Sequence, residues 1–233
     1  MPQVTIDKSE VESWLVESRC ETMQNIKKLD SRWWPEEQAD ATVWAACFFL
    51  QAAEAFELKV DVEVFCSKGK GGKNMAMVEG FYNHSHVYKQ LMLDFVVGRL
   101  ANPSPIMLTG ESEMSSGQSV SEFAIGGGYL WDFFKLLVVP SPVRLFIARV
   151  AAKRSKQTAV ERMSLLAENL IAQYQSYRES LSLGGSQFAI AIIPASVKLY
   201  SETRIIWSSE DKLICEKISE DAARGLRKGA TAL

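Results

Sequence analysis

Apolar positions recur at helical spacing in the N-terminal part of this 233-residue chain. Ser9 and Glu12 can form a capping box at the start of the first such stretch, and Asp7 and Glu10 offer an alternative frame for it. A later run over 36–58 is apolar on nearly all sides, which is typical of a buried helix. We therefore predict two N-terminal helices, with the second at the centre of the fold.

Helical spacing returns in three later segments. A stripe of large apolar side chains over 158–181 follows a capping box made by Thr158 and Glu161, and it predicts one long helix. An apolar stretch over 129–138 predicts a short helix after a run of glycines, and the spacing over 87–96 predicts another. We expect these helices to pack on a sheet.

Elsewhere the spacing changes to alternation, which predicts strands. Residues 59–66 alternate between apolar and mostly charged positions, and 143–150 form a second strand-like segment. The C-terminal third predicts a β-meander with strands at 188–193, 197–207 and 213–218. The middle strand has one apolar and one polar face, which indicates a sheet with one covered face.

Together these patterns predict an α+β fold, with N-terminal helices and one long central helix packed on a mainly antiparallel sheet that ends in a β-meander. We expect a single domain over 1–226 and a frayed tail at 227–233. Small polar residues over 110–121 predict a mobile loop or a link between subdomains. Segment 139–146 resembles 193–200, which indicates either two prolines that each precede a strand or a duplicated unit.

The composition is that of an ordinary globular chain, with 47% hydrophobic and 23% charged residues. The cysteines are far apart in sequence, so they predict free thiols in a reducing cytoplasm rather than a structural zinc site. They are Cys20, Cys47, Cys66 and Cys215. We expect no metal and no cofactor. We also expect no membrane association, because the best candidate for a membrane span, 129–152, is broken by charges and prolines.

The most suggestive candidate site is a loop rich in lysine and glycine after the first predicted strand. Its residues are Lys68, Gly69, Lys70, Gly71, Gly72 and Lys73. Glycines let several backbone N–H groups point into one concavity and lysines add positive charge, so such a loop can hold a phosphate. Asn74 follows the last lysine, so the loop does not complete a P-loop motif. A solvated hairpin tip is the alternative.

A second candidate is a basic segment over 144–162. Its basic residues are Arg144, Arg149, Lys153, Arg154, Lys156 and Arg162, and Glu161 is the single acid among them. If the segment and the lysine–glycine loop converge on one face, they create a local positive field that attracts RNA or a nucleotide. The alternative is an ordinary solvated connection.

A third candidate is a protein contact at Arg32, Trp33 and Trp34, because tryptophan and arginine are enriched in interface hot spots. Here the alternative is a pair of core tryptophans at a helix corner.

Catalytic motifs are incomplete in this sequence. Asp61, Glu63 and Lys68 come near the pattern of a metal-dependent nuclease, in which a lysine follows the second acid by two residues, but Phe65 occupies that position. His84 and His86 could share one face of a strand, but a catalytic metal requires a further ligand. We therefore predict no catalytic residues.

The sequence thus favours a non-catalytic cytoplasmic binding protein or a subunit of a complex. It would act through a surface interface with a protein partner or with a second copy of itself. The alternative is a phosphate-ligand binding protein that takes RNA or a nucleotide through the lysine–glycine loop and the basic segment.

Overall fold

The structure, a computed structural model, describes residues 5–26, 34–35, 38–56, 62–66, 93–99, 106–125, 127–152 and 157–228. Its helices are α1 (Lys8–Asn25), α2 (Gln38–Ala55), α3 (Tyr129–Val138), α4 (Ala159–Tyr177) and α5 (Glu220–Lys228), with a 3₁₀ helix at Val197–Glu202. Its strands are β1 (Val62–Cys66), β2 (Phe95–Arg99), β3 (Ile106–Glu113), β4 (Val143–Val150), β5 (Gln187–Pro194), β6 (Arg204–Ser209) and β7 (Lys212–Lys217).

The described strands form one sheet in which they lie in their order along the chain. β3, β4 and β5 are parallel neighbours, and every other neighbouring pair is antiparallel. The sheet is therefore mixed but mainly antiparallel, and the predicted α+β fold class is confirmed. The C-terminal meander is also confirmed, as β5, β6 and β7.

Helices cover both faces of the sheet. α3 connects β3 to β4 and α4 connects β4 to β5, and both helices pack on one face against residues such as Phe146 and Phe188. α1 and α2 pack on the other face, against residues such as Leu145 and Ala189, and α5 lies on the same side against α1 and the 3₁₀ helix. Because neighbouring residues of a strand point to opposite faces, β4 and β5 are buried along nearly their whole length.

The end signals of the helices explain their limits. Asp7 and Glu10 form the capping box of α1, so the alternative frame is the observed one. Thr158 and Glu161 form the predicted box of α4. α2 lies in the core as predicted, with Phe48 fully buried. Among the described residues, no helix combines the length and the apolar character needed to cross a membrane.

Two predicted elements have a different structure. Residues 95–99 form β2 and not the end of a helix, because Phe95 pairs with Cys66 on one side and Gly110 on the other. Residues 197–202 form a 3₁₀ helix and not a strand, because the chain must reverse between the antiparallel strands β5 and β6.

Two segments predicted to be loop or tail are regular structure. Residues 110–113 belong to β3, so the loop predicted over 110–121 begins later. α5 includes the first two residues of the tail predicted at 227–233, and its Ala223 and Leu226 are buried on the α1 side of the sheet. Residues 229–233 lie outside the described residues.

The similar segments 139–146 and 193–200 do not form a structural repeat. The first enters strand β4, whereas the second leaves strand β5 and enters the 3₁₀ helix. The single domain predicted over 1–226 stays a prediction.

Candidate functional site

Acidic side chains meet at one edge of the sheet. Asp94 directly precedes β2, and Glu111 and Glu113 lie in the last three residues of β3. β2 runs antiparallel to β3 with Phe95 opposite Gly110, so the start of β2 and the end of β3 lie together. This is also the carboxyl edge of the parallel strands, where α/β proteins commonly bind ligands. We call Asp94, Glu111 and Glu113, with the lysine described below, the acidic site.

Hydrogen bonds join the two strands at this point. The backbone N–H of Asp94 donates to Glu111 Oε1 at 3.1 Å. The backbone N–H and the hydroxyl of Ser112 both donate to Asp94 Oδ2, at 3.0 and 2.8 Å. The side chain of each acid is thus bonded to the strand that carries the other, which fixes their relative positions.

A lysine from the next helix completes the acidic site. Lys135 Nζ lies 2.8 Å from Glu111 Oε2 and 3.0 Å from Asp132 Oδ1. α3 directs Lys135 towards the end of β3 because Phe133 and Leu136 on the same helix are buried against the sheet. The connection from β3 to β4 therefore supplies the positive charge of the site.

Burial makes the electrostatics of Glu111 unusual, since its side chain is only 1% exposed. Burial raises the pKa of its carboxyl well above the ordinary value, and the neighbouring Asp94 raises it further, whereas Lys135 opposes the shift. Burial also disfavours the charge of Lys135, but its two acidic neighbours outweigh that effect and raise its pKa. Perturbed groups of this kind are concentrated at functional sites.

Glu113 adds a third carboxylate. It lies two residues beyond Glu111, so both side chains project from the same face of β3. Its Oε1 accepts hydrogen bonds from the backbone N–H of Ser115, at 2.8 Å, and from the Ser115 hydroxyl. The side chain is half-buried, so it lies between the interior and the solvent.

The chemistry of these groups fits a hard divalent cation. Within the described ranges, no three histidine, cysteine or acidic side chains are close enough together to enclose a metal ion by themselves. Mg²⁺ does not require such a cage, because it usually binds one or two carboxylates and completes its octahedron with water and substrate phosphate. Asp94 and Glu111 are the residues that could hold it.

Most of the sequence-predicted site residues lie outside the described residues, so their roles stay predictions. They are Arg32, Trp33, Lys68, Gly69, Lys70, Gly71, Gly72, Lys73, His84, His86, Lys153, Arg154 and Lys156.

The arginines of the basic segment are buried and not displayed to solvent. Arg144, Arg149 and Arg162 are 3%, 6% and 1% exposed. Each guanidinium donates to backbone carbonyls; Arg162, for example, donates to Ala151 O and Gln118 O. These three arginines therefore do not present their charges on a face that could follow a nucleic-acid backbone.

Trp34 is also buried, in the core of the protein. It is 4% exposed, its Nε1 donates to Pro194 O at 2.8 Å, and its ring meets Trp44 edge-on at 5.2 Å between centroids. It corresponds to the core alternative and not to an exposed contact residue.

Sequence patterns alone do not single out Asp94, Glu111 or Lys135. The sequence nevertheless contains a signal for a shared site. Glu111 and Glu113 are two residues apart, the spacing of side chains on one face of a strand. Glu111 follows Asp94 by 17 residues. Pairing with β2 and β4 shows that the segment around Glu111 is a strand, and α3, which follows it, supplies Lys135.

A separate surface of apolar, mostly aromatic side chains lies on α3, at the end of α4 and in the segment that precedes α3. Its residues, which we call the aromatic surface, are Phe123, Ile125, Trp131, Phe134 and Tyr177. Phe123 contacts the Trp131 ring at 5.7 Å between centroids, and Phe134 contacts Tyr177 at 5.3 Å. Phe123 is 46% exposed and Ile125 is 82% exposed, so this apolar surface is open to solvent.

Comparison with known proteins gives no assignment: no family model matches the chain, and neither a curated protein nor a solved structure is significantly similar to it. The geometry of the site is therefore the basis for a functional proposal.

Proposed function

We propose that the protein is a divalent-metal-dependent hydrolase of phosphodiester bonds, with nucleic acid as its substrate class. The observation that carries the proposal is the meeting of Asp94, Glu111 and Lys135 at the carboxyl edge of the parallel strands. The proposal differs from the phosphate-ligand alternative predicted from the sequence, which used the lysine–glycine loop and the basic segment. It also replaces the expectation of a non-catalytic protein as our leading proposal.

The donor set favours phosphoryl chemistry. Carboxylate oxygens suit Mg²⁺ or Mn²⁺, and ions of this type stabilise the charge that develops on a phosphate during in-line displacement. Asp94 and Glu111 would hold the ion, and Asp94 is only half-buried. A bound cation would also offset the unfavourable burial of the Glu111 carboxylate.

Lys135 would act in two states. Without the metal its ammonium neutralises Glu111 and Asp132. With a cation bound to the Glu111 carboxylate, the ammonium would be available to stabilise negative charge on the phosphate.

The reaction balances with the groups at the acidic site and solvent. Water attacks the phosphorus, the bond from phosphorus to the leaving sugar oxygen breaks, and that oxygen takes a proton from solvent water. A cation held by Asp94 and Glu111 would stabilise the negative charge that develops on the phosphate. We assign Glu113 as the general base, the group that accepts the proton from the attacking water, because its carboxylate lies on the same face of β3 as Glu111.

The test is cleavage of labelled single-stranded and double-stranded DNA and RNA by the full chain with Mg²⁺, with Mn²⁺ and with a chelator. We expect Glu111→Gln to reduce cleavage at least about 100-fold, because loss of a ligand should exceed the 10- to 100-fold effect of outer partners. Lys135→Met should retain metal binding and lose cleavage. Glu122→Gln, at an exposed residue outside the site, is the matched control.

Metal-independent cleavage, or cleavage that Glu111→Gln leaves intact, would contradict the proposal. So would the absence of cleavage on all four substrates with both ions.

A second candidate function is a surface interface with a protein partner or a second copy of the chain. The observation that favours it is the solvent-exposed aromatic surface, since large apolar patches commonly mark contacts between proteins. Such an interface is compatible with a hydrolase. Location in the cytoplasm stays a prediction.

A further inference from the structure

A cavity of about 490 Å³ lies at the edge of the sheet opposite to the acidic site. It lies where β4 and β5 begin, between the end of α3 and the turn that follows α4. Its lining includes Leu137, Pro142, Arg144, Leu181, Gly184 and Ser186. Cavities of about 300–1,000 Å³ are typical of sites for small molecules.

The distinctive group in this lining is the guanidinium of Arg144, which is buried with 3% of the residue exposed. Nε donates to Leu136 O at 2.8 Å and Nη2 donates to Val139 O at 3.1 Å, so two nitrogens cap the C-terminal end of α3. The guanidinium also lies over the Phe188 ring, 5.3 Å from its centroid. These contacts fix the orientation of the side chain.

The third nitrogen of Arg144 is unsatisfied. Nη1 is buried and has no hydrogen-bond partner among the described residues. A buried donor without a partner is costly, and for a charged group the cost is higher than for a neutral one. The other two nitrogens are held by the carbonyls of Leu136 and Val139, so turning the guanidinium to satisfy Nη1 would disturb these hydrogen bonds.

Among the described residues, no carboxylate forms a salt bridge with Arg144. The cavity lining contains neither Asp nor Glu within the described part of the chain. Burial lowers the pKa of Arg144 to about 10, so the guanidinium is still protonated at neutral pH. The carbonyls at the end of α3 offset only part of this charge, since a helix end carries about half an elementary charge.

We propose that this cavity binds a small organic anion. Its single carboxylate or phosphate group accepts a hydrogen bond from Arg144 Nη1, and its apolar part lies against Pro142 and Leu181. The proposal concerns a site separate from the acidic site, so it does not depend on phosphodiester hydrolysis.

The experiment is an NMR titration of the full ¹⁵N-labelled chain with benzoate, phenyl phosphate and the neutral benzamide. We expect the backbone amide signals of Gly184 and Gly185 to shift saturably with at least one of the two anions and not with benzamide. Binding of only benzoate or only phenyl phosphate identifies the preferred anionic group. Equal shifts with benzamide, or no saturable shift with either anion, would overturn the proposal.

Variants test the role of the guanidinium. Arg144→Met should weaken anion binding about tenfold or more, as for the loss of one charged hydrogen bond. Arg144→Lys keeps the charge but removes Nη1, and should bind more weakly than the native protein. Lys198→Met, at an exposed residue outside the cavity, is the control. Unchanged anion affinity in Arg144→Met would refute the assignment of Arg144 as the anion-binding residue. If that variant does not fold, the comparison of the anions with benzamide on the native chain still decides whether the cavity binds anions.

Discussion

At the scale of single residues, Glu111 has the most unusual environment in the acidic site. Its carboxyl is buried beside a second acid, and a neighbouring lysine only partly compensates this environment. The sequence did not predict this, because Glu111 and Glu113 occur among small polar residues that are typical of a loop. Their burial depends on the strands on both sides, and no spacing within the segment reveals those neighbours. Lys135 was equally hidden, as one of two charges, with Asp132, in an otherwise apolar helix.

The raised pKa of Glu111 makes stability depend on pH. Its folded-state pKa lies above the ordinary value of 4.5, so above pH 4.5 the unfolded chain releases a proton that the folded chain still holds. The free energy of unfolding of the native protein should therefore fall relative to Glu111→Gln as the pH rises from 4.5 towards the folded pKa. The slope is at most about 1.4 kcal/mol per pH unit.

Urea unfolding of both proteins across this range, without divalent ions, measures the difference. Asp7→Asn serves as a control, because hydrogen bonds from Ser9 and the backbone of Glu10 lower the pKa of Asp7 below its ordinary value of 3.8. Its stability difference from the native protein should change only below about pH 4, with the opposite sign, and stay constant from pH 4.5 upwards. If the native protein instead gained stability over Glu111→Gln with rising pH, the ion pair with Lys135 would dominate over burial, and the pKa would be lowered.

At the scale of elements, local signals predicted some limits well. The observed bounds of α3 and β4 are those predicted from the sequence, because an apolar run between glycines and prolines defines them. Structure near the C-terminal end was harder to predict from the sequence. α5 has only a few buried positions, and its helical structure depends on packing near α1, to which Ser219 is also joined by two hydrogen bonds to Glu12.

The contact between α2 and β3 gives a test at this scale. A Cβ added at Gly110 would lie 3.0 Å from Phe49 Cε1, and Phe49 is 2% exposed and packed against Phe95. We expect Gly110→Ala to lower the free energy of unfolding by about 1–3 kcal/mol, as for overpacking of a core. Chemical denaturation of both proteins measures the change.

Gly117→Ala is the matched control, because a Cβ there meets nothing within 4 Å, and its effect should stay within about 0.5 kcal/mol. Phe49→Leu should cost less in the Gly110→Ala background than in the native protein, since the two positions are in contact. Additive effects would mean that α2 and β3 do not pack as described.

At the scale of the whole molecule, the sheet separates two candidate sites. The acidic site lies where parallel β3 ends, and the Arg144 cavity lies where parallel β4 and β5 begin. The fold class followed from the sequence because helical and alternating segments are distinct. The parallel order of β3, β4 and β5 did not, because it depends on where α3 and α4 pack and not on the pattern within any strand. Both sites depend on that order.

The aromatic surface predicts self-association. Phe123, Ile125 and Tyr177 are exposed, and the ring of Phe123 meets that of Phe134 on α3, so a second copy could cover this surface. We expect the native protein to form a dimer at micromolar concentrations in sedimentation-velocity measurements. Ile125→Asp should shift the protein to monomer by placing a charge in the contact, whereas Val197→Asp, which also alters an exposed apolar residue, should not. A native protein that stays monomeric at all concentrations would exclude the homodimer, and dimers that persist in Ile125→Asp would place the interface elsewhere.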